Sequence, residues 1–332
     1  MLEDRKAAIL KAVVEEYIQT AQPVGSGHIA ETPGIGVSPA TVRNELVQLE
    51  KQGYLHQPHT SAGRVPTDKG YRFFVDSLSL PALADAQADQ IRTFFDTSHG
   101  ELERLLQETT QLLSGLTDCA AVVVGPGHQS ATVRSIQLVR VAHHSAVIVA
   151  VLSNGAVEKA VVEIADAITD DQIGAASALL TGQRLGRTLA QAVTTEEGVD
   201  PTVAALALAA VDALIGTPTE DADNVFVGGT SRVVSAFDAV EKVREVLAVL
   251  ERQLVVVSLI RDVLARGQNV SIGTETGVEP LNECSLVVAP YEVDGQQVGT
   301  IGVLGPTRLN YPQALSAVAV VSQRLGDRLS EG

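Results

Sequence analysis

The sequence predicts an α+β multidomain chain that opens on a winged helix-turn-helix and continues into α/β segments built on antiparallel sheet. Three observations carry this expectation. Residues 36–55, "GVSPATVRNELVQLEKQGYL", read as one amphipathic helix, with Val42, Leu46 and Leu49 at i, i+4 and i+7, and a Gly-containing hairpin pattern follows at once. Tyr17, Tyr54, Tyr71, Phe73 and Phe74 put five of the chain's eleven Phe and Tyr in the first 76 residues, after which the composition turns to Ala, Val and Leu. Further along, short Val-rich runs bounded by turn formers alternate with helical patterns.

The first helix spans residues 4–20, with Ile9, Leu10, Val13, Val14, Tyr17 and Ile18 as its apolar stripe. "AQPVGS" breaks it, and Ser26 caps a short second helix through residue 31. "TPGIGVS" is a tight connection of turn formers. Ser38 can then accept a bond from an orphan N–H of the third helix, and Pro39 fits its first position, where no donor is needed. Gly53 closes that helix. "YLHQPHTSAGRVP" reads as a strand, a tip of small residues and a returning strand; Thr67 caps a last helix with Tyr71, Phe74, Val75 and Leu78 on one side. That order is the winged helix-turn-helix order. Residues 79–99 read as a linker leading into a helix.

The second segment predicts a helix over 101–116, a strand over 119–125, and a meander of strands over 132–142, 145–153 and 156–164, with "SNG" at 153–155 as a hairpin turn. From 170 to 216 the pattern is helical. Residues 201–216 are apolar almost all round except Asp212, so that helix must be buried on several sides, in a core or between subunits. The last segment offers a short strand at 224–229 and a helix over 235–252 with Phe237, Val240, Val243, Leu247 and Leu250. Strands at 269–273 and 284–293, an Asp-Gly hairpin leading into another strand within 294–306, and a helix over 312–329 complete the chain.

The 332 residues suffice for two or three domains, and 45% apolar content argues against disorder. "MLEDRKAAIL" puts charges where a secretory peptide needs an apolar core. Apolar runs such as "AVIVAVL" at 146–152 fall far below the ~18 residues of a membrane span. Cys119 and Cys284 both adjoin apolar strand-like runs and read as buried thiols in a reducing compartment rather than as a disulfide. The expected location is cytoplasmic, with no membrane partner.

A net charge of −16 looks wrong for a nucleic-acid binder until it is divided along the chain. Residues 1–76 carry eight Lys and Arg against nine Asp and Glu, net −1, which leaves −15 for the rest. Between 51 and 72, Lys51, Arg64, Lys69 and Arg72 face only Asp68, a local balance of +3. Contact with a polyanion is thereby confined to one end of the molecule.

A helix that reads DNA needs small side chains near its start, so that its backbone can approach base edges, and Arg or Asn for paired hydrogen bonds to guanine or adenine. Ser38, Ala40, Thr41, Arg43 and Asn44 meet that description, although Arg and Asn also belong on any solvated face. The adjoining stretch "PHTSAGRVPTDKGYR" supplies His59, Thr60, Ser61, Gly63, Arg64, Lys69 and Arg72 as backbone or minor-groove contacts, where cations carry most of the affinity. Enzyme chemistry finds little support. His143-His144 sits in a hairpin turn with no Cys or carboxylate nearby at ligand spacing, so a surface pair is the better reading than a metal site. "VGPGHQS" lacks the Lys-Ser/Thr ending of a phosphate loop, and "VFVGGTSR" reads as a strand-ending turn rather than an anion cradle. The sequence shows no nucleophile constellation.

Three blocks, "AAILKAVVEEYIQTAQPVGS", "VSPATVRNELVQLEKQGYLHQPHTSAGRVPTDKGYRFFVD" and "CSLVVAPYEVDGQQVGTIGVLGPTRLNYPQAL", closely resemble the heat-inducible transcription repressor HrcA, and the resemblance runs end to end. It implies a homodimeric repressor of class I heat-shock operons, including chaperonin genes, that binds double-stranded DNA at a long inverted repeat, the CIRCE element. It also implies that the chaperonin GroEL keeps the repressor active, and it implies no cofactor. Three parts are expected from it: a winged-helix domain over 1–78, a GAF-like domain built from 100–129 and 223–332, and a dimerisation domain inserted at 130–222. Gly27 stands where the family usually has a basic residue. A metabolite-sensing regulator, with a ligand in the GAF-like domain and the same DNA-binding end, is the competing reading.

Overall fold

The computed structural model describes residues 2–59, 62–78, 83–98, 102–125, 132–153, 157–189, 198–216, 225–237 and 239–331. The amino end contains α1 (Asp4–Thr20), α2 (Ser26–Glu31) and α3 (Pro39–Lys51), then the hairpin strands β1 (Leu55–His56) and β2 (Val65–Pro66), then α4 (Asp68–Asp76). Caps set these boundaries. Ser38 Oγ accepts from the Thr41 N–H at 3.2 Å, and Thr67 Oγ1 accepts from the Gly70 N–H at 3.2 Å. Gly53, at φ +77°, ends α3 in the left-handed region where an L side chain is strained. Ser26 is the first residue of α2; Gly25 occupies the cap position and no side chain bonds there.

Helix α5 (Asp85–Thr97) occupies most of the stretch expected as a linker. Its Ile91 and Phe95, four residues apart, are buried and join the same core as the long terminal helix α12 (Tyr311–Glu331). Few apolar residues sufficed to make this a packed helix because they share one face.

The body is organised by a five-stranded antiparallel sheet in the order β7-β3-β10-β9-β8. Its strands are β3 (Ala120–Val124), β7 (Val225–Gly228), β8 (Val270–Ile272), β9 (Cys284–Val293) and β10 (Gln296–Pro306). The pleat sends alternate residues to opposite faces. Ala121 and Val123 join Val287, Ile301 and Val303 in a core under α12 and α6 (Leu102–Thr117). Ala120 and Val122 join Leu286, Val288 and Leu304 in a second core on the other face, under α10 (Val240–Glu251) and α11 (Gln253–Ala265). Helix α12 rides close over β9: a Cβ at Gly326 would stand 2.3 Å from the Glu292 carbonyl oxygen. Asp294 and Gly295, both at positive φ, make the tight turn between β9 and β10.

Where one helix over 235–252 was expected, the chain forms α9 (Thr230–Ala236), then α10, and continues into α11. The run "LVVVSLI" inside α11 has a β-branched composition, yet Val256, Val257, Ile260 and Val263 pack on one side as helical spacing requires. Both cysteines are buried and unpaired.

Between β3 and β7 in the chain lies a separate unit with its own core. Strands β4 (Val133–Ala142), β5 (Ser145–Leu152) and β6 (Val157–Glu163) form an antiparallel meander, covered on one face by α7 (Asp170–Arg184) and α8 (Pro201–Gly216). Most of the "SNG" turn falls outside the described residues. Helix α8 is buried on one side by Val203, Leu206, Ala207, Ala210 and Leu214, while Leu208 and Ile215 are about half exposed; among the described residues it is not enclosed on several sides. Among the described residues, no helix is long and apolar enough to cross a membrane.

Candidate nucleic-acid interface

Helix α3 is anchored from behind and open in front. Val42, Leu46 and Leu49 are buried against the core shared with α1. Its inward carboxylate, Glu45, accepts from Arg5 Nε at 2.8 Å and from Nη2 at 2.5 Å, which neutralises a charge that is 7% exposed. Near its far end Glu50 pairs with Arg64 at 2.9 Å. Two carboxylates that a phosphate backbone would repel are thus each matched to a cation of this same region. On the open side Ser38, Ala40, Arg43 and Asn44 are exposed and Thr41 is half-buried, its Oγ1 3.0 Å from Ser38 Oγ.

The hairpin is joined to the helices at its base. Arg64 exchanges both backbone bonds with Val24, at 2.9 Å each. Gly63 passes so close that a Cβ there would lie 2.4 Å from the Val24 carbonyl oxygen, which gives this glycine a packing role. His59 is exposed beside the tip; Thr60 and Ser61 lie outside the described residues. Lys69 projects from the start of α4, its Nζ donating to the Gln52 carbonyl at 2.9 Å and standing 4.4 Å from the centre of the Tyr54 ring.

Arg72 requires a correction. Expected among the phosphate contacts, its guanidinium faces the body instead: Nε donates to Glu275 Oε1 at 3.0 Å, Nη2 donates to Glu275 Oε2, and Nη2 also donates to the Val270 carbonyl at 2.8 Å. Burial opposes its charge, but the Glu275 carboxylate outweighs that and holds the guanidinium above its ordinary range. Asp68 on the same helix accepts from the backbone N–H and the hydroxyl of Thr274, at 3.0 and 2.7 Å. A helical spacing of four puts Asp68 and Arg72 on one face of α4, but only the folded chain supplies what that face meets. Arg64, turned toward Glu50, likewise serves the joint between hairpin and helix. The sequence reading missed Arg5, whose partner Glu45 lies forty residues away.

The arrangement can present a positive, hydrogen-bonding ridge to a ligand through Arg43 and Lys69. A family model described as the HrcA protein C-terminal domain matches residues 103–315. A heat-inducible transcription repressor HrcA from Pelotomaculum thermopropionicum is 36% identical over 99% of this chain and 97% of its own length. The protein of the same name from Nocardia farcinica is 37% identical, again over 99% of this chain and 97% of its own.

This chain belongs to the HrcA family.

HrcA proteins are heat-inducible transcription repressors, not enzymes. A crystal structure titled only as a hypothetical protein at 2.2 Å resolution covers the whole of this HrcA chain with a TM-score of 0.67 at 24% identity, a likeness of fold.

On the inserted three-stranded unit of this HrcA chain, the sheet face opposite α7 and α8 is rich in valine and, among the described residues, uncovered, with exposed Gln137 and Lys159 flanking Val149 in one cross-strand row. Val139, Val147 and Val161 stand side by side across its three strands, and Val151 pairs with Val157. Val139, Val141, Val157 and Val161 are each more than half exposed. Monomeric proteins rarely leave such a patch to water.

Proposed function

We propose that this HrcA repressor grips a CIRCE-type inverted repeat as a homodimer, with residues 1–78 acting as a winged helix. Helix α3 enters the major groove, Arg43 and Asn44 read bases with help from Thr41, and Ser38 and Ala40 allow the close approach. His59, Thr60, Ser61 and Lys69 grip the backbone or minor groove. The observation that carries this reading is the pairing of Glu45 and Glu50 with Arg5 and Arg64, which leaves the open side of α3 without an uncompensated carboxylate. Two such helices on a two-fold axis suit an inverted repeat. The valine face of β4–β6 supports self-association through the insertion at 130–222, with 100–129 and 223–332 as the GAF-like body. The chaperonin GroEL keeps the DNA-competent dimer populated, and stress withdraws it. Gel-shift titration on a chaperonin-promoter inverted repeat against scrambled DNA, across salt and with or without GroEL, tests the reading. Equal binding to both DNAs would sink it.

A second reading, a metabolite-sensing regulator, has one observation in its favour. A cleft of about 740 Å³ opens between α1 and the body, lined by Ile18, Asp118, Arg232, Arg308 and Asn310 among others. A small molecule held there would touch both the DNA-binding end and the five-stranded sheet. A metabolite that raises the melting temperature and shifts operator affinity together would favour this reading.

A further inference from the structure

We propose that His143, His144 and Asp166 form a binding site for a divalent transition-metal ion of the zinc class, at the tip of the three-stranded sheet. The sequence separates the carboxylate from the imidazoles by more than twenty residues, so spacing alone hides the cluster. In the fold, the two histidines occupy the turn between β4 and β5, and Asp166 lies in the connection from β6 to α7. Both Nδ1 atoms face the same oxygen, Asp166 Oδ1, at 3.1 Å from His143 and 3.0 Å from His144. One ligand atom from each residue lies within 4.8 Å of the others. Around a tetrahedral zinc with bonds of about 2.0–2.1 Å, ligand atoms stand about 3.3 Å apart, so small rotations of exposed side chains suffice.

The scaffold that brings them together does not depend on the ligands' own side chains. Arg140 donates through Nη1 to the His143 carbonyl at 3.0 Å, through Nε to Asp170 at 2.6 Å and through Nη2 to the Ile168 carbonyl at 2.5 Å. It therefore ties the histidine turn to the segment carrying Asp166. The Ile164 N–H donates to the His144 carbonyl at 3.0 Å, a second tie between the same two segments.

Two imidazoles and one carboxylate suit zinc, nickel or copper, whereas calcium and magnesium favour all-oxygen sets. Exposure of all three groups leaves the remaining coordination positions open to water. A bound ion would bridge the turn and the connection, and so stabilise the folded unit by mass action.

Cobalt(II) alone, titrated into the full-length chain, reports on the site through its visible absorption, and zinc added afterwards should displace it. One equivalent per chain is expected, with an absorption typical of nitrogen and oxygen ligands, because both cysteines are buried. His143→Ala, His144→Ala and Asp166→Ala should each weaken binding by roughly tenfold or more. As exposed changes they should leave the metal-free circular dichroism unaltered, and His28→Ala should change nothing. Zinc should raise the melting temperature of the parent chain and not that of the triple variant. No cobalt spectrum in the parent chain, or an equal one in the triple variant, overturns the proposal.

Discussion

Arg72 and Glu275 form a two-pronged ion pair between α4 and the turn after β8, joining residues 203 positions apart in the chain. With Asp68 bound to Thr274 beside it, the pair fixes the amino-terminal helices against the body. Both partners are mostly shielded from water, so the contact is stronger than a surface pair. Glu275→Ala should lower stability by about 1.5–3 kcal/mol, the range for hydrogen bonds to charged groups, and urea unfolding measures it. Arg72→Gln should cost stability too while leaving the salt dependence of DNA binding unchanged. A slope shallower by about one would mean that Arg72 does touch phosphate.

Arg43→Ala should weaken operator binding by ~1–3 kcal/mol and relax base preference at one position. Lys69→Ala should instead weaken binding to all sequences alike. Gel shifts on operator and mismatched DNA separate the two effects.

Gly27 is an exposed helical position with nothing within 4 Å of the place its Cβ would take. Gly27→Lys should therefore fit without strain, favour α2 by helix propensity, and add a cation. If α2 lies along the DNA backbone, affinity should rise at low salt and the salt slope should steepen by about one. Unchanged affinity would place α2 away from the DNA.

Val161→Asp puts a charge on the uncovered valine face without entering the core of the insertion. Sedimentation should show a dimer for the parent chain and a monomer for the variant. A variant that stays dimeric would move the interface elsewhere, with α8 and its exposed Leu208 and Ile215 as the next face to test.

Burial raises the Cys119 thiol to about 11 and the Cys284 thiol to about 12, in both cases because the thiolate loses its hydration. A raised folded-state value means the native chain keeps protons that the unfolded chain releases. The associated stability is complete below pH ~8.5 and declines as pH rises through about 11. At pH 8 a thiol reagent should react slowly with native protein and rapidly in urea. Fast native reaction at either thiol would contradict its burial.

Local patterns were legible wherever the determining atoms lie within a turn or two of each other. Helix α1 matches its expected limits, and Ser38 and Thr67 cap their helices as expected, because periodicity and capping involve residues three or four apart. The three-stranded meander follows from alternation along each strand. Helix α5 was hidden by sparse apolar content, although Ile91, Phe94 and Phe95 carry the i, i+3, i+4 signal. Helix α11 was hidden because a nearly continuous apolar run has no period to read.

By itself, then, the sequence determined the order of elements in the first 78 residues, the face of α3 that carries Arg43 and Asn44, and the local positive balance of residues 51–72 on an acidic chain. Only the tertiary structure decided which cations are free to meet a ligand. It committed Arg72 to Glu275 and Arg64 to Glu50, and it brought Asp166 beside His143 and His144. The reason is physical: an ion pair depends on the distance between its groups in space, its energy falling as that distance grows, while residues adjacent in the fold can be hundreds apart in the chain.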